Sequence, residues 1–593
     1  MARYKIEWKH VLLAAIVLVT LLARLNQVHY NLSGDEIFSI TAANQSFAKL
    51  ISAAVQDRTH PPLYYILLHS WIGMFGASEM AVRSLSIIFS GMLILALYGL
   101  LRRFMDRGMV YGLLLLVALS PFFVYLGEEV RPYSLIALAA TLNLLSFVRM
   151  LERPQSRKAI GIWALSCTLL LYCEYLSVLI ILFEVALGFI LLRAERRVVL
   201  YYGLAGIALF SPWLIPVLVY PVLRGSYAFA NITWIARPTF TDFYHFYVSV
   251  LGHGPGLRSQ NWLLAVLVFL IAAYVVYRFL SHKPFDTRHA ILLWVAFGVP
   301  LIVYAISIWG PVSIFLSRQL IAAGIAYVVV IGLCLSTLPR TVAAAILLVL
   351  VFWAAVSLPQ GFPKYMNPPW QNIARQIDTH FGSQTVVTQE YWIQLPLEYY
   401  RKPGGRVRPW NQLTQLTGDD GFLFVCRPVD ARCSDLTEND ALKSHISLVR
   451  TWRWGLQSST WNRLRLYRVS HLSGALLASA LQDSVVAPAD KTTIGYSGVD
   501  LGEGWKLVRW FGCFNTSNSP WIFHQTLGWL YTCATTKEGL WFWHARMKAF
   551  LWTRPNVYPY FYRTGDGAWL YYKKGSSHPQ WFYNLKAGKW EKY

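Results

Sequence analysis

Asp35 and Glu36 stand side by side in the stretch NLSGDEIFSI, residues 31–40, just after an apolar run from Val11 to Leu22. Two adjacent carboxylates beside a membrane-crossing run either cap a helix or do chemistry. Asp35 is placed to act as N-cap of the amphipathic segment that follows. Carboxylates also accept protons and hold cations, imidazoles do both, and guanidinium groups hold anions. His60 precedes Pro61 and Pro62 in DRTHPPLYYILLHSWIGMFG, and Glu128, Glu129 and Arg131 crowd the short turn YLGEEVRPYSL. Charges in so short a turn at a membrane face are costly unless they pair, bind something or reach water. Local pairing of Glu129 with Arg131 or with Arg83 is one solution. Asp35, Glu36, His60, Glu129 and Arg131 nevertheless all fall at the outer ends of the first four apolar runs, which makes them candidates for one pocket.

The elements that must position these residues are membrane spans. Apolar residues make up 55% of 593 and charged residues 14%, and the mean hydropathy is +0.40, which excludes an ordinary soluble enzyme. A span needs roughly 20 apolar residues. Eleven runs qualify as candidates: about 10–24, 84–101, 109–126, 133–150, 159–174, 176–192, 198–220, 261–278, 289–308, 319–337 and 341–358. With a cytoplasmic N-terminus, the inside segments hold sixteen basic residues against five acidic ones, and each is net basic, as the positive-inside rule requires. These loops supply +11 of the overall +23, so anionic lipid suffices as counterpart and no nucleic acid is implied. No small-residue cleavage site follows the first run, which reads as a retained anchor. The odd number of spans places everything after Leu358 outside the cytosol, together with loops 25–83, 127–132, 221–260 and 309–318. In the first of these loops, Ile37, Ile40, Phe47, Leu50, Ile51 and Ala54 recur at helical spacing, predicting one interfacial amphipathic helix. Leu63 to Phe75 predicts a second, interfacial or re-entrant.

Taken in order, SGDE, THPPLYY, FGASEMAVRSLS, EEVRPYSL and SRQLIAA resemble the membrane glycosyltransferases that take sugar from a polyprenyl phosphate. These are the protein O-mannosyltransferase-like superfamily, with the C-type glycosyltransferase fold, including bacterial enzymes that decorate lipid A, lipopolysaccharide cores and surface proteins. The resemblance covers about residues 10–360, with an echo in NPPWQNIARQI. It implies that Asp35 is the catalytic carboxylate, a general base toward an acceptor hydroxyl, with Glu36 supporting the site. It implies Arg131 and Arg318 as partners of the donor phosphate, and His60 and Glu129 as metal or polar site groups. A divalent metal ion is thus a candidate cofactor. Where relatives carry an aromatic-flanked histidine, Y-x-H-Y, this chain has YCEY, so Glu174 takes that position as another candidate ligand. In SRQL, Gln319 replaces the usual tyrosine beside the arginine. Glu184, in mid-span, reads as an internal hydrogen-bonding group. No G-x-x-x-x-G-K-[ST] loop and no G-x-G-x-x-G follow a strand, so a nucleotide cofactor is unsupported. The implied partners are a polyprenyl-phosphate-linked sugar, membrane lipid and an extracytoplasmic acceptor bearing a hydroxyl. The implied location is a plasma or bacterial inner membrane.

Four regions follow: a transmembrane glycosyltransferase domain at 1–358, an outer α/β domain at 359–475, a Ser/Ala/Asp-rich linker at 474–498 and a Trp/Tyr-rich β-repeat domain at 499–593. In the second, GFLFVCRPVD and RLRLYRVS predict strands, and Cys426 and Cys433 are placed for a disulfide. In the last, Phe523, Phe542, Phe561 and Phe582 mark repeats 19, 19 and 21 residues apart, each followed by a turn and then Trp529, Trp552, Trp569 or Trp590. This predicts a chain of hairpins with stacked aromatics as its core, or a surface that contacts glycan. Two other functions fit the topology: a transporter or flippase with its charges along a path, and a ligase that moves a whole polymer. The clustering of ionisable residues at one face, without matching broken spans in two halves, disfavours the transporter.

Overall fold

The computed structural model describes residues 8–26, 28–223, 235–252, 287–310, 312–362, 367–410, 421–428, 445–454 and 463–470, most of 499–593, and residues 232, 412 and 433. The expected span 261–278 and linker 474–498 lie outside the described residues. Internal contacts divide the chain into two units, one of residues 1–383, 392–405 and 452–463, the other of 384–391, 406–451 and 464–593.

The first unit is helical. Helix α1 (Trp8–Leu25) leads into three helices of the first loop, α2 (Gly34–Ala43), α3 (Phe47–Asp57) and α4 (Leu63–Phe75). The single amphipathic helix expected over this loop is therefore two. The chain breaks at Asn44–Ser46, where Asn44 and Ser46 close one helix and open the next, residue types that favour caps over helix interiors. Ile37, Ile40, Leu50 and Ala54 are buried as their spacing predicts, whereas Phe47 is exposed. Arg58 adopts a left-handed conformation to end α3, and Pro61 and Pro62 carry the chain into α4. Helices α5 (Glu79–Leu101), α6 (Arg107–Leu119), α7 (Pro121–Glu128) and α8 (Tyr133–Glu152) follow. Ser78 and Asp106 cap α5 and α6 by accepting backbone N–H groups.

Among the described residues, five helices are long and apolar enough to cross a membrane: α5, α8, Arg288–Trp309, Ser317–Leu335 and Arg340–Gly361. Two bent pairs, α6 with α7 at 59° and Arg196–Ala208 with Ser211–Tyr220 at 47°, raise the number to seven. Among the described residues the expected eleven is not confirmed, and one of the eleven, 261–278, lies outside them. His10–Leu25 and Tyr175–Leu191 are apolar but shorter, and the run from 159 forms a helix of 15 residues, Arg157–Leu171. The bend between α6 and α7 has a plain cause: Pro121 lacks an N–H and is favoured only at the start of a helix, so Ser120 breaks the span and Pro121 opens α7. Helix α7 packs among α5, α6 and α8. Gly127 permits this close approach, since a Cβ there would lie 2.4 Å from Nε of Arg24 and 2.6 Å from Oγ of Ser90.

The second unit holds two sheets. Strands β1 (Val386–Thr388), β2 (Val407–Pro409), β3 (Phe422–Cys426), β4 (Ile446–Arg453) and β5 (Arg463–Val469) lie in the order β2-β1-β3-β5-β4. β1 runs parallel to β2 and β3, and β5 antiparallel to β3. Every residue of β3 is buried, as its unbroken apolar run requires of a central strand. Cys426 and Cys433 form the expected disulfide.

The remaining strands, β6 (Val499–Gly502) to β16 (Lys589–Lys592), form one eleven-stranded sheet in which sequential neighbours pair, antiparallel throughout. Its buried face carries Ile522, Leu530, Phe542, Leu551, Phe561, Leu570 and Phe582. The true equivalent of Phe542 in the first repeat is thus Ile522; Phe523 is exposed. The expectation that stacked aromatics supply the core holds for Phe542, Phe561 and Phe582 and fails for the tryptophans. Strand alternation sends them to the opposite face, where register aligns three rows of rings: Trp521, Tyr531, Trp543 and Phe550; Trp541, Trp552, Tyr562 and Trp569; Tyr560, Tyr571, Tyr583 and Trp590. All twelve are half-buried or exposed. Three of the turns are held by the last residue of the preceding strand, in β9 (Trp521–His524), β11 (Gly539–His544) and β15 (Trp581–Asn584). His524 Nδ1 accepts the N–H groups of Thr526 and Leu527, His544 Nδ1 that of Met547, and Asn584 Oδ1 those of Lys586 and Ala587.

Candidate active site

Ser33, and not Asp35, is the N-cap of α2. Its hydroxyl accepts the Glu36 N–H at 3.2 Å, and its own N–H donates to Glu36 Oε2 at 2.7 Å, a reciprocal capping box. Glu36 then receives Nε and Nη2 of Arg83 at 2.9 and 3.0 Å, and the N–H of Val130 on its Oε1 at 3.2 Å. Arg83 also donates to the carbonyls of Val28, Tyr30 and Asn31. Both side chains are buried. A buried ion pair survives when each partner is fully hydrogen-bonded, and this one is: it ties the start of α2 to α5 and to the end of α7. Glu36 is therefore held in this ion pair and the capping box, with both its oxygens taken.

Asp35, one residue earlier, is left to face outward from the helix start. Its Oδ2 accepts Nη1 of Arg318 at 2.9 Å, from a residue 283 positions away in the short turn Ser317–Leu320 that opens a spanning helix. Their side chains remain 20% and 28% exposed, so this pair, unlike the one below it, opens to the surroundings. Burial raises the Asp35 carboxyl, but the positive charges of Arg318 and Arg131 outweigh it and hold the group below its ordinary value.

Arg131 is buried behind this pair. Its Nη1 donates to Tyr65 Oη at 3.2 Å and Ser39 Oγ at 3.4 Å, while its Nε–H has no partner. Ser39 lies one turn after Asp35, so both face the same side of α2. Asp57, at the end of α3, also feels Arg131; burial dominates and raises it. Glu129 accepts the Tyr125 hydroxyl at 3.3 Å on Oε1 and has nothing on Oε2. Burial pushes it up to about 8 against the pull of Arg318. The sequence did not single out Ser39, Asp57 or Tyr65, although Tyr65 closes the THPPLYY motif.

His60 is buried with both ring nitrogens unpartnered, edge-on to Tyr133 at 5.8 Å between centroids. Burial, and then the charges of Arg131 and Arg318, hold it well below the ordinary histidine value, hence neutral. Its Nδ1 lies 3.9 Å from Glu174 Oε2, which also has no hydrogen bond. Glu174 Oε1 accepts the Leu176 N–H. The residue expected at the histidine position of relatives thus does approach His60. Among the described residues, however, no three His, Cys, Asp or Glu side chains gather closely enough to hold one ion. His60 and Glu174 supply two such side chains. Glu184 sits apart, accepting from Trp163 and Asn143 inside the helices, the internal role its position predicts.

Residues 59–216 match the family model described as dolichyl-phosphate-mannose-protein mannosyltransferase. The match takes in His60, Arg83, Glu129, Arg131 and Glu174, and leaves Asp35, Glu36 and Arg318 outside. It agrees with the resemblance carried by the motifs over that stretch. A comparison with curated proteins gives no match. Among solved structures, ArnT from Cupriavidus metallidurans bound to undecaprenyl phosphate is similar at 12% identity and a TM-score of 0.48, over 78% of this chain and 98% of that one. The Archaeoglobus fulgidus oligosaccharyltransferase in complex with Zn and sulfate gives 13% and 0.39, over 67% and 62%. The arabinofuranosyltransferase AftD from Mycobacteria gives 13% and 0.39, over 79% and 42%. At these scores the likeness carries no argument by itself.

Proposed function

We propose that this protein is a multi-pass membrane glycosyltransferase of the C-type fold that moves one sugar from a polyprenyl phosphate to a hydroxyl outside the cytosol. The observation that carries the reading is the Asp35–Arg318 pair: an ionised, partly open carboxylate set against two arginines at the end of a buried polar cluster. The family-model match over residues 59–216, which includes Arg131 but neither member of that pair, supports the same class of donor. The basic inner loops support a cytoplasmic N-terminus, which puts Asp35 and the chain after Leu358 on the outer side.

The residues divide the work by charge. The acceptor oxygen attacks the anomeric carbon as the bond from that carbon to the phosphate oxygen breaks, and the acceptor proton passes to Asp35. The leaving polyprenyl phosphate gains one negative charge. Arg318 and the unpartnered Nε–H of Arg131 are placed to hold it, and guanidinium suits phosphate oxygens better than a point charge does. The same two cations depress Asp35 before the donor binds. Once a phosphate takes their charge, the carboxylate becomes more basic, as a general base must be. His60, Glu129 and Glu174 contribute unpaired polar atoms that suit sugar hydroxyls.

The test is release of polyprenyl phosphate from labelled polyprenyl-phosphate sugars by purified protein in lipid nanodiscs. Asp35→Asn is expected to keep donor binding and lose on the order of 10²–10⁴ in turnover. Turnover unchanged in this variant overturns Asp35 as base, and no release from any donor overturns the transfer reading.

A further inference from the structure

We infer that the aromatic face of the eleven-stranded sheet, β6 to β16, is a binding platform for an anionic polysaccharide. The inference does not rest on the transfer reaction.

The sheet does not need these rings for its core. Its buried face is complete without them, yet the opposite face keeps three registered rows of four rings, with Trp521, Trp569 and Trp590 each about two-fifths or more exposed. A contiguous exposed apolar face on a folded domain marks a binding surface. Strand spacing of about 4.8 Å sets successive rings in a row close to the length of one sugar unit. Neighbouring rings brace each other edge to face, as Trp552 with Trp569 at 6.2 Å, Tyr562 with Trp569 at 5.6 Å and Tyr583 with Trp590 at 5.4 Å. Bracing holds the rings in fixed, crossed orientations, so that a sugar ring meets pre-ordered aromatic faces and edges.

Charge selects among sugars. From residue 499 onward the chain carries twelve Lys and Arg against five Asp and Glu. Asp566 and Glu591 are both bonded to Arg563, so the three together leave one negative charge against the five exposed cations Lys548, Arg554, Lys573, Lys589 and Lys592. Two of these cations belong to the aromatic face: Arg554 lies over the Trp552 ring at 5.7 Å, and Lys592 pairs in register with Trp581. A second copy of so basic a face is repelled, whereas a chain of uronate or phosphate-bearing sugars finds rings for its faces and cations for its charges.

The experiment uses the full-length protein in nanodiscs of neutral lipid, immobilised, with polygalacturonate, alginate and hyaluronan as probes and dextran as the neutral polymer. At least one anionic polymer is expected to be retained above dextran. Trp552→Ala with Trp569→Ala is expected to weaken retention by at least about tenfold, which is about 1.4 kcal/mol. Because truncating two paired rings strains the sheet, Arg554→Gln with Lys592→Gln provides a second variant that leaves every ring in place. It too is expected to weaken retention, and neither variant alters sugar release from donor. Retention of no anionic polymer overturns the inference, as does equal retention by wild type and both variants. Capture of phosphatidylglycerol vesicles in place of the polymers also overturns it, and makes the face a lipid-contact surface.

Discussion

Replacing Arg318 by glutamine tests the electrostatic core of the site. The substitution removes the guanidinium 2.9 Å from Asp35 Oδ2 and keeps a hydrogen-bonding side chain of similar length. A hydrogen bond between charged groups is worth about 1.5–3 kcal/mol. Here both side chains are partly open, 28% and 20% exposed, so solvent screening lowers that to about 1–2 kcal/mol. With that coupling gone, the Asp35 carboxyl rises toward its ordinary value. Arg131 remains as the second cation and limits the shift. The assay is the pH dependence of kcat/KM for the donor, measured as initial release of polyprenyl phosphate in nanodiscs. The acid limb of this profile reports the free enzyme's essential base. The limb is expected to move to higher pH in Arg318→Gln, together with a raised donor KM. Arg318→Lys is expected to restore the limb, since the charge returns, and to leave KM raised, since the planar fork does not. A limb that stays fixed in Arg318→Gln refutes the coupling of these two residues and, with it, the assignment of that limb to Asp35.

Three further outcomes are expected. Glu36→Gln leaves the buried Arg83 without its counter-charge and lowers stability by about 3–5 kcal/mol, read as a lower melting temperature in detergent; the double change Glu36→Gln with Arg83→Met recovers part of it, and an unchanged melting temperature for the single variant refutes the supporting role. Burial holds His524 and His544 down to about 4 against an ordinary 6.5, so between those values the unfolded chain binds more protons than the folded one and stability rises with pH. Each histidine contributes roughly 3 kcal/mol at most, fully present above 6.5 and lost by about 4, visible as acid-enhanced proteolysis of the C-terminal repeats in the full chain. Changing both to asparagine, the residue type that already holds the turn at Asn584, is expected to flatten that pH dependence, and a profile as steep as wild type refutes it. Glu174→Gln keeps the shape beside His60 and removes an ionisable oxygen; turnover within a few-fold of wild type is expected if His60 and Glu174 only position sugar hydroxyls, and a loss as deep as that of Asp35→Asn contradicts this.

Periodicity and motif were legible in the residues alone. Composition and apolar runs place this chain in a membrane, an unbroken apolar run finds the strand Phe422–Cys426 and alternation the strand Arg463–Val469, and the motifs name Asp35, His60, Arg131 and Arg318 before any geometry is known. These are local or compositional properties, and they survive folding because burial acts on each segment in the same way. Partnership came only with the folded chain. Nothing in NLSGDEIFSI says that Glu36 belongs to Arg83 while Asp35 belongs to a residue 283 positions away, or that Ser33 takes the cap and so leaves the aspartate outward. An apolar run over 109–126 does not show that Pro121 will bend it to bring Glu129 to the site. The same limit holds in the repeats. Spacing reveals the hairpins, but only the pairing register decides which of two alternating aromatic sets is buried, because shifting a strand by one residue exchanges its faces.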